Sequence, residues 1–328
     1  MAQNQLKTRY LVIRLDIANP VAQASSNQST TFSNGKTTKY VYAYSGSPLQ
    51  EGMAYSKVDA IITQSIGWQD NTATVTIYGM NPADINTFTR SNLDLWFNVF
   101  TANLITIYAG YNLGSDGLPP IVFCGYVIFA GANYNNSRDR PFVIHSMQFF
   151  DLNNVNIKPT NPKGVISLDN LFRQICQAGN LVYRGYNITG NAYSPILTGT
   201  VRDQLQQACK RYGYQITMTR SPDNVLNIVS ISPIGQPMQN SNITLSAQNN
   251  EMIGFPVVEN YGFSIKCYFN PTLIVGQTLY VNSVSVPYIN NKQLYINQMV
   301  HELHNREEQW QSTLQLNAYG TLVFGANS

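Results

Sequence analysis

The sequence predicts a mainly antiparallel β protein with a small α+β unit set between two β regions. Three observations predict it. First, Phe263, Ile265, Cys267 and Phe269 alternate with Ser264, Lys266 and Tyr268, and Trp310, Ser312, Leu314, Leu316 and Ala318 alternate with Gln311, Thr313, Gln315 and Asn317. A period of two is that of half-buried strands. Second, Asn71–Gly79 is β-branched and alternating, which favours a pleated strand. Third, helical spacing dominates between 163 and 232, at Leu168, Leu171, Phe172, Ile175 and Cys176 and again at Val201, Leu205, Ala208, Cys209 and Tyr212. The polar strand faces are amide and hydroxyl with almost no charge, which suits a barrel or a lumen better than an active site.

A chain of 328 residues can bury a sizeable core and hold two or three domains. Its charged fraction of 11% lies far below the usual ~25%, and 21 tyrosines accompany abundant Asn, Gln, Ser and Thr. Disordered chains are usually charged and poor in aromatics, so the composition argues against disorder. A net charge of +3 gives no concentrated basic patch for nucleic acid. Low charge is a weak basis for monomer solubility and is common in large permanent assemblies. Cys124, Cys176, Cys209 and Cys267 form no CxxC pair and sit in apolar patterns, which reads as buried free thiols. A Cys176–Cys209 disulfide stays open beside that reading. Met1–Lys7 is polar and no apolar run approaches the ~20 residues of a membrane span. The expectation is synthesis in a cytoplasm without stable membrane insertion.

In chain order, strands are predicted at 10–17, 39–44, 60–67, 71–79, 104–111, 121–130 and 141–152, with a long polar loop at 19–39. Asn81-Pro82-Ala83-Asp84-Ile85 opens a helix, with Asn81 as cap, Pro82 in the first turn and Ile85 facing inward. Gly110 and Gly125 inside strands predict bulges or sharp bends. Pro159–Gly164 reads as a linker. Ser167 caps a first helix that Gly179 ends, Thr198 or Thr200 opens a second that Gly213 ends, and 184–199 between them reads as a loop after a strand-like Leu181-Val182-Tyr183. A hairpin follows at 214–218 and 225–231 around Ser221-Pro222-Asp223-Asn224. Pro233–Gln248 reads as a second polar linker, and strands resume at 261–269, 279–281, 294–303 and 310–319.

The search for chemistry finds no catalytic, cofactor or metal constellation. His301-Glu302-Leu303-His304 has its histidines three apart, where the zinc-protease helix needs them four apart. In a strand that spacing puts them on opposite faces, so they are read as polar strand-end residues, one bonded to Glu307 or Glu308. No GxSxG, P-loop or GxGxxG is present. Asp84, Asp94, Asp116 and Asp151 are scattered, with no glycosidase-like pairing in their spacing. In so neutral a chain, the corner Arg306-Glu307-Glu308 stands out as a candidate for ion pairs between subunits.

Three stretches carry a family resemblance. The first is Val75-Thr76-Ile77-Tyr78-Gly79-Met80-Asn81-Pro82-Ala83-Asp84-Ile85 with Leu104-Ile105-Thr106-Ile107-Tyr108-Ala109-Gly110-Tyr111. The second is Ile121-Val122-Phe123-Cys124-Gly125-Tyr126-Val127. The third joins Gly254-Phe255-Pro256, Phe269-Asn270-Pro271-Thr272-Leu273-Ile274-Val275-Gly276 and Val300-His301-Glu302-Leu303-His304 through Trp310. Together they resemble the baseplate hub, or tail hub, proteins of bacteriophages and related contractile injection machines. The stretch Met252–Pro256 departs from the family's fuller glycine-proline pattern.

The resemblance implies two tube-type β-barrel domains, at 1–158 and 233–328, flanking a small α+β domain at 163–232. It implies a homotrimer whose six barrels make a pseudo-sixfold ring between the tail tube protein and a spike or distal tail protein. DNA would be passing cargo, with no enzyme activity and no cofactor. The place of work would be the virion tail, and Arg306, Glu307, Glu308 and Trp310 become the candidate assembly residues. Two other classes were weighed. A carbohydrate- or cell-wall-binding β protein would use aromatics such as Trp68 or Tyr134. A peptidoglycan-cleaving hydrolase would need an acid or nucleophile with a base, which 163–232 does not offer.

Overall fold

The structure is a computed structural model that describes residues 9–17, 38–44, 54–55, 57–69, 71–80, 82, 85–86, 89, 103–115, 117–132, 141–149, 152, 155–220, 227–249, 251–259, 262–307 and 309–318. Residues 19–37 of the polar loop expected at 19–39, the turn at 221–226, Tyr134 and all four of the scattered aspartates lie outside them, and Thr38 and Lys39 belong to a strand instead. The chain divides into two compact units. Unit one takes Met1–Ile62, Thr72–Met147 and Glu302–Trp310, and unit two takes Thr63–Asn71, Gln148–His301 and Gln311–Ser328.

Unit one is built on strands β1 (Tyr10–Ile17), β2 (Thr38–Tyr44), β3 (Ala54–Tyr55), β4 (Lys57–Ser65, of which 57–62 belong here), β5 (Thr72–Tyr78), β6 (Leu104–Gly110), β7 (Ile121–Ala132) and β8 (Phe142–Met147). Their spatial order is β4-β5-β8-β7-β6-β1-β2-β3. The strict alternation of β5 buries Ala73, Val75 and Ile77 and leaves its threonines at the surface. Residues 82, 85, 86 and 89 are helical, and Ile85 is buried, as the Asn-Pro start predicts. The register shifts fall between Ile107 and Tyr108 and between Val127 and Phe129, not at the two glycines. Gly125 answers a different need: a Cβ there would lie 2.9 Å from the Met147 carbonyl oxygen and from the Phe123 ring.

Unit two holds the α+β part. It comprises β9 (Val165–Ser167), α1 (Leu168–Ala178), β10 (Val182–Gly185), β11 (Asn191–Tyr193), α2 (Val201–Tyr212), β12 (Tyr214–Arg220) and β13 (Asn227–Pro233). Strand order is β10-β13-β12, with β10 parallel to β13 and β12 antiparallel to it. The first helix starts at its predicted cap, and of the two threonines offered for the second, Thr200 is the one used. Ser167 accepts from the Asn170 N–H, and Thr200 and Asp203 form a reciprocal capping box. Gly213 ends α2 at φ 75°, a conformation that costs glycine little. Leu171, Phe172, Ile175, Val201 and Leu205 are fully buried in one cluster with Ile216, Val229 and Ile231. Burying each large side chain is worth roughly 1.5–3 kcal/mol, which is what holds two short helices on a three-stranded sheet.

The remainder of unit two comprises β14 (Thr244–Ser246), β15 (Val257–Glu259), β16 (Gly262–Tyr268), β17 (Thr278–Asn282), the 3-10 turn Pro287–Ile289, β18 (Gln293–His304, of which 293–301 belong here) and β19 (Trp310–Ala318, of which 311–318 belong here). Strands follow β15-β16-β19-β18, and β17 pairs β18 and β14. Phe263, Ile265 and Cys267 face Leu314 and Leu316 in one buried cluster, the alternation read from the sequence.

Two expectations are corrected. The segment 233–248 is not only a linker, because Thr244–Ser246 forms a strand parallel to Tyr280–Asn282. Leu245 and Ser246 are buried there, but three residues are too few for a legible period. Likewise, 184–199 is not all loop, since Asn191–Tyr193 pairs with Val165–Ser167. The 159–164 linker is also tied down. Buried Gln204 accepts from the Thr160 N–H (3.3 Å) and hydroxyl (2.7 Å), and donates to the Lys158 and Gly199 carbonyls (3.2 and 3.1 Å). Gln204→Ala removes every one of these bonds and leaves a cavity where the buried amide stood. A loss on the order of 2 kcal/mol is expected in chemical denaturation of the full chain.

Candidate functional site

The candidate corner is the turn between β18 and β19, and the structure builds it within unit one. His304 N–H donates to the Gln309 carbonyl at 3.0 Å and closes the turn. Asn305 locks it onto β4: its Oδ1 accepts from Val58 N–H at 3.0 Å, and its own N–H donates to the Val58 carbonyl at 3.2 Å. This exchange brings Lys57 and Asp59 to the corner, because residues two apart on β4 share a face. Lys57 Nζ lies 2.6 Å from Glu307 Oε1 and 3.9 Å from Asp59 Oδ2. His304 Nδ1 lies 2.9 Å from Asp59 Oδ1 and 3.8 Å from Glu307 Oε2. The hydrogen bond from Lys57 lowers the Glu307 carboxyl from its ordinary range, and the same bond holds the Lys57 ammonium charged to higher pH against the opposing effect of burial.

The predicted assembly residues separate here. Arg306 and Glu307 are exposed, and Glu308 lies outside the described residues. Trp310 is 1% exposed. Its ring meets the Tyr111 ring edge-on at 6.4 Å, with the Arg9 guanidinium 5.9 Å from its centroid. Arg9 also donates to the Glu307 carbonyl at 3.2 Å. The indole therefore serves this chain's own packing and presents no surface to a neighbour. Lys57, Asp59 and Arg9 escaped the sequence reading because they lie far from 306 along the chain. Only the i, i+2 pairing of Lys57 with Asp59 hinted at a shared charged face.

Asp59, His304 and Glu307 place three ligand atoms within 4.8 Å of one another, the spacing a divalent ion requires. The Lys57 ammonium contacts Glu307 and lies 3.9 Å from Asp59, so it offsets one of the two carboxylate charges. His301 takes no part. It is buried in unit two, with Nδ1 2.7 Å from Ser312 Oγ and its ring edge-on to Phe269 at 5.1 Å. The two histidines lie on opposite faces of β18, as their spacing requires. Each cysteine is a free, buried thiol, and burial pushes Cys176 and Cys267 up to about 12.

Residues 180–316 match the family described as Baseplate hub gp41. The match covers less than half of the chain. It begins inside the α+β part, runs through β10 to β18, and ends in β19 after the charged corner. No curated protein sequence matches the chain significantly. Among solved structures, the chain is similar to the Escherichia coli c3393 protein, a component of the type VI secretion system with structural similarity to the T4 bacteriophage tail proteins gp27 and gp5. The TM-score is 0.52 at 9% identity, covering 81% of this chain and 75% of that one. It is also similar to a tail protein of Neisseria meningitidis MC58 (TM-score 0.51, 10% identity, 81% and 96% covered). A third is the 43 kDa tail protein of prophage MuSo2 from Shewanella oneidensis (TM-score 0.51, 9% identity, 81% and 98% covered). At such identities the likeness is one of fold.

Burial pushes the His301 imidazole down to about 4, below the ordinary value of about 6.5. As pH falls, the unfolded chain takes up this proton first. The contribution to stability is therefore complete above pH ~6.5, declines as pH drops towards about 4, and levels below that, a change on the order of 3 kcal/mol. Thermal unfolding followed across this window should show the decline in the natural chain and a flatter profile in His301→Gln.

Proposed function

We propose that this protein is a structural tail-hub component of a virion. Three copies form a pseudo-sixfold ring that joins the tail tube to the central spike and surrounds the channel through which DNA passes. The match of residues 180–316 to the family described as Baseplate hub gp41 carries this reading. The architecture supports it. Two β regions flank an α+β insertion, so two tube-type barrels per subunit would give three subunits six similar positions. A sixfold tube can then sit on a threefold spike with one chain adapting both symmetries. The composition fits a conduit: phosphates bind where Lys and Arg cluster, and a chain with 11% charged residues offers DNA few places to stick. The role is non-catalytic, with the neutral surface serving permanent assembly.

Within this reading, Arg306 and Glu307 form part of the contact between subunits. Both are exposed on a turn that Asn305 and Lys57 hold rigid, which lowers the entropy lost when a neighbour docks.

Mass photometry and imaging of the purified chain test the ring. Particles of three times 36.6 kDa with a central hole are expected. A monomer that stays monomeric with tail tube and spike proteins added would overturn the reading. Charge reversal at the corner, Arg306→Glu with Glu307→Lys, should shift the population towards monomer while leaving the fold intact by circular dichroism. Unchanged trimer stability would remove the corner from the interface.

A further inference from the structure

Unit two contains a cavity of about 860 Å³ whose chemistry neither the hub reading nor the comparisons assign. Small-molecule sites fall at roughly 300–1,000 Å³ and combine apolar walls with a few placed polar groups. Here the apolar part of the wall is aliphatic at Ile66, Ile234 and Leu316 and otherwise aromatic. Trp68, Tyr214, Phe263 and Tyr295 all border the cavity. Trp68 is half-buried and packs on the α+β core, and its carbonyl accepts from Arg202 at 2.8 Å, so the segment bearing it is fixed. Gly262 forms part of the wall because a Cβ there would clash with the Leu316 carbonyl oxygen.

The polar part is neutral and amide-rich. Asn297 on β18 and Gln315 on β19 border the cavity half-buried, and among the described residues their side chains make no hydrogen bond. Asn317 donates to the Tyr295 hydroxyl at 3.4 Å and keeps its carbonyl oxygen for another donor. Gln215 is the contrast: its amide N–H groups are spent on Ser232 Oγ and the Gln236 carbonyl at 3.1 and 2.7 Å. Lys210 and Glu259 on the wall carry one charge of each sign. An ionic ligand would find no net attraction there. A ligand with flat C–H faces and many hydroxyl or amide groups would find aromatic rings for the faces and open amides for the rest.

We propose that this cavity is a binding site for a short neutral oligosaccharide bearing acetamido groups, a β-1,4-linked N-acetylhexosamine chain. Trp68 is the stacking platform. Asn297, Gln315 and the free carbonyl of Asn317 read the hydroxyl and acetamido groups. Each amide donates and accepts at once, which matches a sugar hydroxyl or an acetamide in either direction. The site is independent of ring formation and needs no residue of the charged corner.

Titration of the full-length protein with N,N′,N″,N‴-tetraacetylchitotetraose, followed by tryptophan fluorescence and calorimetry, tests it. Saturable binding is expected, weakened at least roughly tenfold by Trp68→Ala and by Asn297→Ala. Trp68→Phe should retain part of the affinity, and thermal midpoints of the variants control for folding, since the Arg202 bond uses only the Trp68 backbone. The oligomer measured by mass photometry should not change in any variant. No binding at millimolar sugar, or binding that Trp68→Ala leaves intact while the fold is preserved, overturns the assignment. Equal affinity for cellotetraose, which lacks acetamido groups, overturns the acetamido part.

Discussion

A chain with so few charges must satisfy its buried polar groups with neutral partners, and much of the structure follows from that constraint. A buried amide or hydroxyl without a partner costs about 1–3 kcal/mol, so each one fixes the position of what surrounds it. Gln204 uses both ends of its amide to draw residues 158–160 and 199 around the start of α2. Asn71 accepts from the Ser65 N–H at 2.9 Å and donates to Gln148 Oε1 and the Met218 carbonyl at 3.1 and 2.9 Å. Ser241 and Thr278 exchange bonds at 2.7 and 3.2 Å and bring 239–246 alongside β17. His301 and Ser312 do the same inside the β18–β19 pair. These neutral clamps stand where other proteins place ion pairs, and their strength does not depend on salt.

The same constraint explains why charge, where it occurs, is gathered. Lys57, Asp59, His304 and Glu307 lie together because β4 presents Lys57 and Asp59 on one face and Asn305 docks the turn against Val58. Exposed ion pairs add little stability by themselves. Their use here is to hold the shape of the turn that carries Arg306 and Glu307. Trp310, which the sequence placed with them by proximity, went inside, because burying an indole beside Tyr111 outweighs leaving it in water. The oligosaccharide cavity follows the chain's neutral chemistry in another way: its polar wall is amide where an ionic site would be carboxylate or guanidinium.

The amino-acid sequence by itself determined the elements whose signals are local. The alternation on β5, β16 and β19, the Ser167 cap and the Gly213 stop depend on residues within a few positions of each other, and the folded chain uses each as written. The opposite faces of His301 and His304 followed from strand geometry alone. Short strands were different. Thr244–Ser246 and Asn191–Tyr193 have three residues each and become strands only because distant partners supply the hydrogen bonds. Only the tertiary structure could decide that Lys57 meets Glu307, that Gln204 clamps a linker, and that Trp68 borders a cavity with Asn297 and Gln315. Those pairings lie far apart along the chain, where no local propensity acts, and it is long-range strand register that brings them into contact.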